Sequence, residues 1–384
     1  MKRILFLLLL TTQPLCCRDG QLPVTYQVPH NNTYPPDVSF CIADLKFDGT
    51  MLKICEFGEG FESRFKGYDA LYGKGAMWAK VWEVLVGLGV PVWIVENRTS
   101  MSDPQEFSYR YFKELGGQLM SSFGGLSRSC SAKKKIKNGQ MQGLVVAHTM
   151  GKTKHYVKAV LDKRPDLMVL NAATNNFVRS KAATNALFDT PDVARFRPLA
   201  CLLKGSNKAH ESHNVIKKLG AEYVVIKPTN SALGQGVMLL PANQLGRMLT
   251  AITTGAHGQA MGNDPAYSYW AKNQGADVMV EAFALSKSVV VDEKAYDPTM
   301  RVVFVLVNDH GKMDITFLGS YWKLPVKSLD EPGTFTEKHK SCVKPGKKCS
   351  AVVEDADYAV VQALLCQLLP PLYEKMLKQH FVSI

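Results

Sequence analysis

Between residues 90 and 171 the chain alternates short apolar, β-rich runs with helical patterns, and this alternation limits the fold more than any other feature of the sequence. The runs are 90–95, 118–122, 144–147 and 167–170, with helical spacing over 107–115 and 154–161 and a helix over 76–86 leading in. Strands separated by helices pair in parallel, because a parallel partner is reached only by a long crossover. The expectation is an α/β chain carrying a βαβ parallel sheet. At 384 residues and 46% hydrophobic, it has the apolar mass for two or three domains.

Lys plus Arg is 46 against 34 for Asp plus Glu, a formal charge of +12 that favours an anionic partner. Nucleotide phosphate, nucleic acid and a membrane surface all meet that requirement. The densest basic run, Lys133-Lys134-Lys135-Ile136-Lys137, has no interleaved aromatic residue and reads as a solvated loop, so no nucleic acid is expected. Nine cysteines without a C-x-x-C pair argue against a zinc cage or a disulfide framework. Only Cys342 and Cys349 stand close enough for a local bridge; Cys41 and Cys55 sit in apolar runs. Residues 1–17 form a signal-like leader: Lys2-Arg3 precedes the apolar Ile4 to Leu10, too short to span a bilayer, and no clean cleavage site follows. Export, an upstream start and an ordered strand stay open, and the location with them. His148 to Thr153 ends in Gly-Lys-Thr, but Val146 stands where a phosphate-wrapping loop needs its first glycine.

The second half carries the chemistry. A strand over 222–226 ends in Lys227-Pro228, the loop Ser231-Ala232-Leu233-Gly234-Gln235-Gly236 follows, and a second strand covers 237–240. A further strand over 278–280 finishes at Glu281. A lysine leaving a strand beside a Gly-x-Gly loop can hold a polyphosphate, the ammonium on the charge and glycine amides on the oxygens. This order of strand-Lys-Pro, Ser-x-x-Gly-x-Gly-Val and strand-Glu resembles the ATP-grasp family. Asn171 followed by Arg179-Ser180-Lys181 is similar to its Asn and Asp-Lys segment, with Ser180 in place of the acid. Asp297-Pro298-Thr299-Met300-Arg301 and Tyr321-Trp322-Lys323 resemble strands of the ribosomal-modification glutamate ligases, and the resemblance spans residues 165 to 325.

The resemblance implies an ATP-binding site in which Lys181 and Lys227 contact the α- and β-phosphates under a cover of Ser231, Gly234, Gln235 and Gly236. Glu281 and the backbone up to Phe283 would meet adenine; Arg301 and Lys323 would be catalytic, stabilising charge on the transferring phosphoryl group and the tetrahedral adduct. Asp297 either joins them or caps a turn. The implied reaction activates a small carboxylate as an acylphosphate with ATP and Mg²⁺, and an amine then attacks to give an amide. A non-catalytic ATP-binding scaffold or secreted factor, and an ATP-grasp phosphotransferase, are the alternatives.

The family's metal ligands lie on strands near its C-terminus, whereas here the last sixty residues read as a helix from about Glu354 towards Pro370-Pro371 and a helical tail to Lys378. The front of the chain offers a substitute: 39–47 and 51–57 flank Asp48-Gly49-Thr50 as a hairpin. With a three-residue loop, Asp44 faces Ile54 and Glu56 shares its face one diagonal step away, about 7 Å between backbones. With a two-residue turn the carboxylates face opposite sides. Glu59 falls where the family has an asparagine. The expectation is a circularly permuted ATP-grasp chain of mixed α/β and α+β character: leader 1–17, metal-binding hairpin 38–62 with Asp44, Glu56 and Glu59, pre-ATP-grasp-like α/β domain 63–175, and ATP-grasp domain 176–380. An ordinary amphipathic hairpin is the plain alternative. The segment from Ser328 to Lys348 shows no readable chemistry, and His148, His155, His210 and His213 read as structural or surface residues.

Overall fold

Two strands of this chain are buried on both faces, and such strands belong in the middle of a sheet. Asp37–Phe47 is buried at every position and Thr299–Asp309 at nearly every one. They pair antiparallel at the centre of a six-stranded sheet ordered Val24–Gln27, Lys312–Lys323, Thr299–Asp309, Asp37–Phe47, Leu52–Gly58, with Ser350–Ala351 added at the end of Lys312–Lys323. The structure is a computed structural model that describes residues 23–27, 34–59, 65–95, 103–120, 143–147, 164, 167–178, 180–205, 207–231, 234–255, 265–342 and 347–382. The leader, the helical pattern over 154–161, the basic run at 133–137 and the segment 148–153 lie outside them.

Each face of the large sheet is closed by a different layer. Cys41, Ala43 and Leu45, with Met300, Val302 and Phe304, pack against the helix Asp355–Val382 through Val361, Leu365, Leu368, Leu369 and Leu372. The helix runs unbroken through Pro370 and Pro371, where the sequence suggests an interruption. Each proline costs roughly 3 kcal/mol in a helix interior, but each buried Leu or Val returns about 1.5–3 kcal/mol, and the helix buries such residues on both sides of the prolines. On the other face Val38, Phe40 and Ile42, with Val303 and Val305, meet Trp78, Val81, Trp82 and Leu85 of the helix Ala76–Val86.

That second layer leads into the expected parallel sheet, ordered Gln118–Met120, Val92–Val95, Gly143–Ala147, Leu167–Val169 and crossed by helices such as Asp103–Glu114. Asn171, next after this sheet, takes a left-handed φ of 66°, and its side-chain oxygen accepts from the Phe40 amide at 2.6 Å. It thus pins the parallel sheet to the large one. The third layer is an antiparallel sheet ordered Met238–Pro241, Tyr223–Pro228, Val278–Ala282, Ala200–Leu203, backed by the helices Ser212–Leu219 and Leu245–Thr254. Lys227 and Pro228 remain inside the strand, paired with Met279 and Val278, rather than ending it. The fold is therefore mixed α/β with several sheets. Among the described residues no helix is long and apolar enough to cross a membrane.

Candidate functional site

The front hairpin sets the floor of the site. Its turn holds four residues: Asp48 Oδ1 accepts from the amides of Thr50 and Met51 at 2.8 Å each, and Gly49 takes a φ of 108°. A four-residue turn alone would put Cys55 opposite Asp44 and turn Glu56 to the other face. The ladder instead shifts register between Asp44 and Leu45, so that Leu45 faces Ile54 and Asp44 faces Glu56, with Cys55 as the extra residue of a β-bulge. Leu52, Ile54 and Phe57 consequently all reach the same apolar core although their spacing changes from two to three.

With that bulge, four side chains form one row across the sheet. Glu56 lies opposite Asp44, Asp44 opposite Arg301, and Arg301 opposite Tyr321, all sharing a face because directly paired residues do. Arg301 forks onto Asp44, Nε to Oδ1 at 2.7 Å and Nη2 to Oδ2 at 2.8 Å, and Lys323 Nζ adds a third contact to Oδ2 at 2.9 Å. Burial and the neighbouring Arg301 charge hold the Lys323 ammonium below the ordinary lysine range, against the pull of Asp44.

The antiparallel sheet supplies the roof. Lys227 Nζ meets Glu281 Oε2 at 2.5 Å and the Cys55 carbonyl at 3.2 Å, so the roof lysine touches the floor's bulge. Arg197 binds the other oxygen of Glu281 at 2.8 Å. Burial alone would raise the Glu281 pKa, but Lys227 and Arg197 outweigh it and hold the carboxylate below its usual range; Glu281 likewise outweighs burial at Lys227 and raises its pKa. Lys181 opens the helix Lys181–Ala186 behind Ser180, whose hydroxyl accepts from the Ala183 amide as an N-cap. That is the part Ser180 plays in place of an acid. The Lys181 ammonium reaches the Ser231 carbonyl at 2.5 Å. Gly234 and Gly236 take φ of 68° and 70°, and a Cβ on Gly236 would fall 2.5 Å from Pro228 Cγ.

Floor and roof face each other across one open cleft, lined by Asp44, Glu56, Lys181, Lys227, Gly234, Glu281, Phe283, Arg301 and Lys323 among others. Ser231, Gln235, Gly236 and Glu59 are not in its lining. Six lining side chains are Lys or Arg and three are Asp or Glu, so the cleft suits a polyanion. The amides of Ala282 and Phe283 already donate to the carbonyls of Leu199 and Tyr223 at 2.8 and 3.0 Å.

Magnesium is held by one or two carboxylates together with phosphate oxygens and water. Asp44 and Glu56, paired across the hairpin and lining the cleft, fit that donor set, with Arg301 and Lys323 as the present counter-charges of Asp44. Glu59 does not join them: its carboxylate lies 3.5 Å from the Asn171 amide nitrogen. Among the described residues no group of three or more His, Cys, Asp or Glu side chains is arranged to hold a metal ion.

Three participants, Arg197, Lys46 and His339, gave no functional signal in the sequence, whereas Asp297 was an open candidate there. Arg197 clamps Glu281; Lys46, Asp297 and His339 form a cluster at one end of the cleft, with Asp297 Oδ2 receiving Lys46 Nζ and His339 Nδ1 at 2.8 Å each. Lys46 was findable in principle, two residues from Asp44 on the same face of a strand. His339 was not, because it comes from the segment 328–348. Cys342 also lines the cleft; it and Cys349 are not joined by a disulfide.

No family model matches the chain, and no curated protein matches it. Solved structures similar to it include a candidate gamma-glutamylcysteine synthetase from Methylobacillus flagellatus KT, 10% identical over 91% of each chain with a TM-score of 0.44. Two others are the D-alanyl-alanine synthetase A from Vibrio cholerae O1 biovar eltor (10% identical, 74% of this chain and 80% of that chain, TM-score 0.37) and a RimK domain ATP-grasp protein from Sphaerobacter thermophilus (15%, 74% and 98%, TM-score 0.27). These neighbours are ATP-grasp enzymes.

Proposed function

We propose that the chain is an ATP- and Mg²⁺-dependent ligase that joins a small carboxylate to an amine through an acylphosphate, releasing ADP and phosphate. The observation that carries this reading is the convergence, in one cation-rich cleft, of residues from four distant segments: Asp44 and Glu56, Lys181, Lys227 with Glu281, and Arg301 with Lys323. In this reading Lys181 and Lys227 bind the nucleotide phosphates and Gly234 lets the loop backbone approach them. Arg301 and Lys323 orient the carboxylate and offset the negative charge that grows on the transferring phosphoryl group and the adduct. Asp44 and Glu56 would hold the magnesium, which supplies charge neutralisation at the phosphates when bound. Such chemistry relies on positioning and electrostatics rather than a protein nucleophile. The position of the front hairpin beside the Arg301 strand also supports the permuted arrangement, in which the metal-bearing strands have moved to the start of the chain.

The test is ADP release from ATP and Mg²⁺ with amino acids and small peptides as both carboxylates and amines. Release that needs a carboxylate and an amine together is the expected result, with Lys227→Ala abolishing nucleotide binding. ADP release without an amine would make the chain a phosphotransferase; nucleotide binding without turnover would make it a scaffold.

A further inference from the structure

The cluster at the end of the cleft has the construction of a proton acceptor. Asp297 is 2% exposed and its carboxylate is pinned by three donors: the Ser286 amide on Oδ1 at 2.8 Å, and Lys46 Nζ and His339 Nδ1 on Oδ2 at 2.8 Å each. A carboxylate held by a lysine and a backbone amide is ionised and can only accept, so Nδ1 of His339 must be the nitrogen that carries the proton. In the neutral ring the lone pair then sits on Nε2. No described residue hydrogen-bonds to Nε2, and the side chain lines the cleft that also contains Arg301 and Lys323. The ring plane is set independently by Phe335 at 4.3 Å and Phe283 at 5.2 Å between centroids. Its carrier, the short helix Phe335–His339, is fixed by the capping box of Thr334 and Glu337. It is also tied to the roof, because Lys340 Nζ donates to the Val237 carbonyl at 3.0 Å.

The arrangement is wasteful for a structural contact, since Lys46 alone would neutralise Asp297. It is what a base requires: a carboxylate that selects the tautomer, aromatic walls that select the orientation, and a second nitrogen on a side chain that lines the cleft. We propose that His339, positioned by Asp297, is the catalytic base that takes the proton from the attacking amine. This inference rests on the ligase reading. The amine nitrogen forms its bond to the acylphosphate carbon, the bond from that carbon to the phosphate oxygen breaks, and one proton moves from nitrogen to Nε2. The leaving phosphate departs with the bonding pair and takes up a proton, so that acid and base balance over the turnover. A segment with no legible chemistry in its sequence would thus contribute the residue that completes the second half-reaction.

The experiment has two arms. The first uses the whole chain without substrate and reads the imidazole tautomers in long-range ¹H–¹⁵N spectra, with His339→Gln to assign the signal. An Nδ1–H tautomer that is lost in Asp297→Asn is expected; an Nε2–H tautomer overturns the proposal. The second arm supplies ATP, Mg²⁺ and the protein amino acids, with either the amino acids themselves or hydroxylamine as nucleophile. Hydroxylamine is an uncharged, strong nucleophile at neutral pH and needs no base to attack. In His339→Gln, amide formation should fall by about 10²–10⁴-fold while hydroxamate formation stays within about threefold of wild type. Equal losses with both nucleophiles, or a matching loss of nucleotide affinity, would show that the residue only holds the fold or the nucleotide and would overturn the proposal. If the wild-type chain forms no hydroxamate with any of these carboxylates, it is the ligase reading that fails, and the tautomer result still stands by itself.

Discussion

Glu281 is the single residue on which most of the roof depends. It is 1% exposed, and its two oxygens hold Lys227 and Arg197. Removing one member of such a buried network leaves the others uncompensated, so Glu281→Gln should cost about 3 kcal/mol of stability at neutral pH. The pH dependence follows from the signs. The Glu281 pKa is depressed below its ordinary 4.5, so its contribution is present above that value and lost as pH falls through the folded-state pKa. The Lys227 pKa is raised above its ordinary 10.5, so its contribution is present below that value and lost as pH rises beyond it. Urea unfolding of wild type and Glu281→Gln should show a constant gap from about pH 6 to 9 that narrows in acid. A gap that stays constant down to pH 3 would mean that the carboxylate is not an ion-pair partner. The sequence marked Glu281 and Lys227 as candidates, and both line the cleft; their mutual pairing was not legible, because they are 54 positions apart.

At the scale of elements, two backbone devices aim the side chains. The bulge at Cys55 turns Glu56 towards Asp44, and its trace is visible in the sequence as the slip from Leu52 and Ile54 to Phe57 along the apolar face. A three-residue loop places the two acids on one face as well, but in a diagonal pairing; the observed four-residue turn with a bulge makes them direct partners. The glycine loop is the second device. Gly236 has a left-handed φ of 70° and no room for a side chain, since a methyl group there would lie 2.7 Å from Tyr269 Cδ1 and 2.5 Å from Pro228 Cγ. Gly236→Ala should therefore lower stability by about 1–3 kcal/mol and weaken nucleotide binding at least tenfold. Thermal unfolding and a fluorescent nucleotide titration check both; an unchanged affinity would remove the loop from the binding site.

For the whole molecule, the site exists because the large sheet is covered on both faces while the end of one face, at Asp44, Lys46, Arg301 and Lys323, is left to the cleft. The helix Asp355–Val382 secures the opposite face, and Leu365, fully buried, is central to it. Leu365→Ala should destabilise the chain by about 2–5 kcal/mol without changing nucleotide affinity of the folded protein. A loss below 1 kcal/mol would mean that the helix is not required to close the core. The sequence by itself determined what is local: the alternation that makes a parallel sheet, the strand-Lys and glycine-loop order, and the acids and bases carried on strands. Periodicity and turn chemistry act over a few residues, so they can be read without knowing the partner. Only the tertiary structure decided that the front hairpin joins the Arg301 strand, that the prolines stay inside a helix, and that His339 meets Asp297. Each of these is settled by burial and pairing between segments far apart in the chain, and the free energy of such contacts has no counterpart in any short window of sequence.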